Sequence, residues 1–183
     1  GHFGGMLSLG GNEVTLIARG AHLEAIRDKG LQIITDYGQF TVQCDATDDP
    51  RQVDPVDLIL LTVKTYHNEQ AVPAMRSMVG EDTTVLCLQN GIYSYEAAER
   101  FIGAAQVLPG AAYIESSLES PGVVKQTGDV VEIVFGEPDG VASPRGELIS
   151  ETLTKAGIPA QLSDNIQKTL WSKFLFIATM AGV

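Results

Sequence analysis

Short, continuous apolar runs recur along the chain, and the stretches between them return their apolar positions at helical rather than alternating spacing. Buried strands alternating with helices are the pattern of a parallel sheet covered on both faces. Val14 to Ala18 (VTLIA) follows the turn signal Gly10-Gly11-Asn12 and reads as a buried strand. Ala21 to Lys29 reads as a helix closed by Gly30. Leu31 to Ile34 and Phe40 to Gln43 flank Asp36-Tyr37-Gly38 as a hairpin inserted before the parallel order resumes. Beyond a loop from Asp48 to Asp57, Leu58 to Val63 (LILLTV) and Thr84 to Leu88 (TVLCL) are expected as neighbouring strands joined by a helix from Asn68 to Met78. A helix from Tyr95 to Phe101 leads to a strand at Val107 to Ala112, then to alternating segments at Val123 to Lys125 and Val130 to Phe135. Pro144 to Ala156 carries proline near its start and Gly157 just beyond its end, the asymmetry of a helix.

The two ends differ in character. Gly1-His2-Phe3-Gly4-Gly5-Met6-Leu7 begins as a helix rich in small residues, with no strand ahead of it. Asn165 to Val183 carries Leu170, Trp171, Phe174, Leu175 and Ile177 at helical spacing, an apolar face with no partner inside the chain. The expected division is a dinucleotide-binding domain over 1–164 that lacks its first strand, followed at 165–183 by the first helix of a missing all-α C-terminal domain.

Of the 183 residues 44% are hydrophobic, enough for one sizeable core, and the formal net charge is -11. Nucleic acid and anionic membrane are therefore not expected as partners, and an anionic ligand needs a local cluster of positive charge. No run reaches the roughly 18 apolar residues that span a bilayer. Cys44 and Cys87 stand without metal spacing and read as packing residues of a reducing, cytoplasmic interior. His2, His22 and His67 are scattered, no carboxylates cluster, and Ser116 and Ser117 lack a nucleophile setting, so neither a metal nor a catalytic serine is expected.

Four places carry candidate chemistry. A dinucleotide site needs a helix whose N-terminus faces the pyrophosphate, where free N–H groups and the helix dipole favour negative charge. Gly1 lies nearest that place, whereas Gly4 and Gly5 read as small residues that let the helix pack closely. At the end of the following strand, where an acid would select NAD, stands Arg19, suited to a 2′-phosphate or simply an exposed loop arginine. Lys64 follows a strand's carboxyl end, where ligands of open α/β sheets bind, yet it could equally be a solvated loop lysine. Asn90-Gly91 is first a turn signal. Lys173 is a lone charge beside Trp171 and Phe174 and is either a desolvated acid or a lysine snorkelling from a packed helix.

The ordered set VTLIARG (Val14 to Gly20), LTVKTYH (Leu61 to His67), LQNGI (Leu88 to Ile92), QTGD as a turn (Gln126 to Asp129) and LWSKF (Leu170 to Phe174) resembles the ketopantoate reductase (2-dehydropantoate 2-reductase) family over essentially the whole chain. The resemblance implies a Rossmann-like α/β fold, NADP(H) as cofactor, and reduction of ketopantoate to pantoate in pantothenate biosynthesis. It places Arg19 on the 2′-phosphate, Lys64 and Asn90, with Gly91, near cofactor and substrate, and Lys173 as the catalytic lysine. Gly1 joins the cofactor-binding set from its place near where the Gly-rich turn would end. Where family members often carry asparagine four residues after the lysine, this chain has Ile177, which bears on which 2-oxo acid is bound. The family also draws substrate contacts, and allows a homodimer, through its C-terminal domain, so residues 1–183 alone are expected to be inactive. Two alternatives stay open: a reductase of another 2-oxo acid, and a module that binds NADP without chemistry.

Overall fold

The computed structural model describes residues 1–181, so the last two residues of the expected terminal helix lie outside the described region. Helix α1 (His2–Leu9) is followed by strand β1 (Thr15–Ile17), helix α2 (Gly20–Lys29) and the antiparallel pair β2 (Leu31–Thr35) and β3 (Gly38–Val42). Then come β4 (Asp45–Thr47), β5 (Leu58–Leu61), α3 (Asn68–Ala74), β6 (Thr84–Cys87) and α4 (Glu96–Ile102). The chain continues through β7 (Val107–Ser120), β8 (Val123–Phe135), α5 (Pro144–Lys155), β9 (Ala160–Leu162) and α6 (Ile166–Ala181).

The strands form two sheets. β1 and β4 pair in parallel by themselves, while the larger sheet runs β3-β2-β8-β7-β6-β5, with β9 also on β8. Within it β5, β6 and β7 are parallel neighbours, as the LILLTV and TVLCL runs predict. Among the described residues β1 pairs only with β4, and β5 only with β6. Helix α1 bridges the two pieces: Phe3, Met6 and Leu7 share one apolar cluster with Val14 ahead of β1 and with Leu58 and Leu60 of β5. Glycine makes that possible, because a Cβ on Gly5 would stand 2.4 Å from Ile33 Cδ1 and one on Gly4 would stand 2.7 Å from Leu16 Cδ2.

Three elements depart from the pattern read in the sequence. The strand expected to end at Ala112 runs to Ser120, and the two segments after it are one strand, β8. The expected turn at Gln126 to Asp129 is a bulge inside β8: the register steps from Ile114 opposite Val131 to Glu115 opposite Thr127, and Gly128 takes φ +78°. Buried Gln126 holds the bulge by donating Nε2 to the carbonyls of Thr127 (2.9 Å) and Gly128 (2.6 Å). Finally, the helix expected over Asn68 to Met78 tightens after Ala74 into a 3₁₀ turn, because Pro73 cannot donate to the helix ladder.

Candidate active site

Ile166, Leu170, Lys173 and Ile177 follow one another at i, i+4, i+7 and i+11 and so share one face of α6. The first two are buried in the core with Tyr95, Ala98 and Ala111, which fixes how the helix lies. Asn165 caps it, its Oδ1 accepting from the Lys168 amide at 3.0 Å, and Gln167 Nε2 donates to the Tyr95 hydroxyl at 2.5 Å. With that face pinned, the next residue on it projects over the sheet. Lys173 Nζ donates to Asn90 Oδ1 at 2.8 Å and to the carbonyl of Ala112 in β7 at 2.6 Å, and it stands 5.4 Å from the centre of the Tyr113 ring. Burial pushes the lysine down to about 8.

Asn90 is held by the turn after β6. Gly91 takes φ +121°, a conformation open to glycine, and Ser94 Oγ closes the turn by donating to the Gln89 carbonyl at 3.2 Å. Lys64 follows β5 at the start of a 3₁₀ turn, Thr65–His67, and its carbonyl accepts from the His67 amide at 2.8 Å. Arg19 is exposed in extended conformation between β1 and α2. Arg19, Lys64 and Asn90 thus all follow the carboxyl ends of parallel strands, the edge where open α/β sheets bind ligands.

Of the residues singled out in the sequence, Lys173 and Asn90 meet directly, while Lys64 comes no closer to them through hydrogen bonds than its neighbour Val63, whose carbonyl accepts from Gln89, the neighbour of Asn90. No side-chain hydrogen bond among the described residues links Arg19 or Gly1 to that group. Sequence reasoning missed Gln89, Tyr113, the Ala112 carbonyl and the Tyr95–Gln167 bond. Gln89 stood inside the LQNGI motif without a role, and a backbone carbonyl leaves no signal in a sequence. Two other hollows, one of about 130 Å³ beside Glu137 and Ser143 and one of about 440 Å³ between α3 and α4, do not include Lys173.

Residues 1–140 match the family model described as Ketopantoate reductase PanE/ApbA. The chain belongs to that family. A 2-dehydropantoate 2-reductase of Pyrococcus abyssi is 34% identical over 171 residues, covering 93% of this chain and 55% of the relative. The crystal structure of 2-dehydropantoate 2-reductase from Porphyromonas gingivalis W83 superposes with a TM-score of 0.92 at 34% identity, covering 98% of this chain and 66% of that one. A D-mandelate dehydrogenase solved with NADH and anilino(oxo)acetate is also similar, with a TM-score of 0.84 and 29% identity over 94% of this chain and 56% of that one. The chain spans between 54% and 60% of the length of the curated ketopantoate reductase relatives and the related oxidoreductase it matches. No helix among the described residues is long and apolar enough to cross a membrane.

Proposed function

We propose that the protein carrying this chain reduces a 2-oxo acid with a nicotinamide cofactor, the substrate being ketopantoate, the product pantoate and the donor NADPH. The observation that carries the reading is the Lys173–Asn90 contact at the carboxyl edge of the sheet, with the lysine pushed down to about 8. NADPH, when bound, would supply a hydride to the C2 carbonyl carbon. As negative charge develops on the carbonyl oxygen, the Lys173 ammonium stabilises it and gives up a proton to it, so that the alcohol forms and the lysine is left neutral until solvent recharges it. Asn90 and the Ala112 carbonyl hold Nζ in place. The residues present fit the cofactor: α1 lies close on the sheet through Gly4 and Gly5, Gly1 at its N-terminus would hold the pyrophosphate, and the exposed Arg19 guanidinium would suit a 2′-phosphate. Lys64 and Gly91, after the carboxyl ends of β5 and β6, would hold the nicotinamide end. The helical substrate domain begins at residue 165 in this reading, and α6 links the two.

A second substrate is favoured by Ile177. It stands one turn beyond Lys173 on the same face, 38% exposed, and offers an apolar wall where a hydroxyl of ketopantoate would seek a partner. An apolar 2-oxo acid suits that wall, and the similar D-mandelate dehydrogenase was solved with anilino(oxo)acetate bound. The deciding experiment mixes full-length protein with NADPH and a panel of 2-oxo acids and follows loss of cofactor absorbance. Lys173→Ala is expected to lower turnover by roughly 10²–10³. Binding of NADPH with no turnover on any 2-oxo acid would refute the reading.

A further inference from the structure

One buried side chain stands behind both Asn90 and Lys64. Gln89 is 5% exposed, and its Nε2 donates to the Val63 carbonyl at 2.6 Å and to Asn68 Oδ1 at 2.6 Å. Its Oε1 accepts in return from Asn68 Nδ2 at 3.2 Å, so the two amides form a reciprocal pair. Both donors and the acceptor of the glutamine are used, as burial demands. Val63 immediately precedes Lys64, Asn68 is the first residue of α3, and Gln89 immediately precedes Asn90. A single amide therefore joins the loop after β5 to the turn after β6. The backbone ladder ends just before this point, with the Leu88 amide donating to the Leu61 carbonyl at 3.0 Å, so beyond it the Gln89 amide carries the link between the two segments.

We infer that Gln89 is a positioning residue, whose amide fixes the Asn90 side chain against Lys173 and sets where Lys64 stands without itself touching substrate. The inference rests on the reading of Lys173 as the proton donor. Its consequence lies in the lysine's charge. Burial disfavours the ammonium, whereas an oxygen that accepts from Nζ favours it. From β7 the ammonium meets the Ala112 carbonyl and the Tyr113 ring, and from the turn after β6 it meets Asn90. A loosened Asn90 removes one of the two accepting oxygens, so the lysine releases its proton at lower pH.

The test uses full-length protein and does not need turnover. The pH at which Lys173 becomes reactive towards an amine-acylating reagent is read by peptide mass spectrometry in wild type, Asn90→Ala, Gln89→Leu and the double variant. Both single variants are expected to move that midpoint to lower pH, and the double variant no further than the larger single, since residues acting through one another are not additive. A wild-type midpoint in Gln89→Leu, or fully additive shifts in the double variant, would overturn the inference. If the buried leucine prevents folding, Asn68→Ala decides instead: a smaller shift in the same direction upholds the role and an unchanged midpoint overturns it. Should the wild type reduce no 2-oxo acid, the reading of the reaction fails, while these midpoints still judge Gln89.

Discussion

Lys173 carries its charge on a face of α6 whose two preceding residues, Ile166 and Leu170, are buried core. Partial burial lowers its pKa to about 8, and a proton donor works only while it holds its proton. kcat/KM is therefore expected to fall as pH rises through about 8, measured under conditions of saturating cofactor. Lys173→Arg should keep the positive charge but abolish that limb along with most turnover, because a guanidinium keeps its proton throughout the working range. At the other end of the cofactor, Arg19→Ala is expected to weaken NADPH binding by roughly 10–100-fold, the scale of a lost hydrogen bond to a charged group, while leaving NADH affinity nearly unchanged. Fluorescence titration with the two nucleotides would check this. The sequence singled out Lys173 and Asn90, which the fold brings into contact, and Arg19, which it leaves exposed, because each stands in a motif with a meaning at the residue itself. Gln89 was not, because its partners are 21 and 26 residues away and only folding reveals that all three of its polar contacts are spent on them.

Helix α1 depends on missing side chains. Gly5→Val would drive a Cβ against Ile33, which is fully buried and cannot move aside, and overpacking of that kind costs about 1–3 kcal/mol. Denaturant unfolding of full-length protein should show that loss, with weaker nucleotide binding as α1 lifts from β2. Gly91→Ala meets almost nothing, its nearest neighbour being Ser94 Cβ at 3.7 Å, so its expected cost of about 1–3 kcal/mol comes from the backbone at φ +121°. Elements with long apolar runs, such as β5 and β6, were readable to within two residues. The three-residue strands β4 and β9 were not, since so short a run has no period, and neither was the full reach of β7, whose outer half is exposed and polar.

Across the molecule, Glu137 after β8 pairs with Arg145 of α5, which also donates to the Ala105 carbonyl. Hydrogen bonding to the guanidinium holds the Glu137 carboxyl below its usual range. A depressed carboxylate contributes stability above its unfolded pKa, about 4.3, and loses it as pH falls through the lower folded value. The Tm gap between wild type and Arg145→Leu should thus be widest near neutrality and close below about pH 4. The alternation of strand and helix made the α/β class legible, but not the pairing of β2 with β8, which joins segments far apart in sequence. Nor did periodicity disclose that the sheet comes in two pieces. That division has a colloidal consequence. Among the described residues β5, Leu-Ile-Leu-Leu, is paired on one flank only and β1 likewise, so residues 1–183 produced alone offer two templates for intermolecular strand addition. Light scattering on that polypeptide should rise with concentration and time, and the growth should draw first on chains docking through these two flanks.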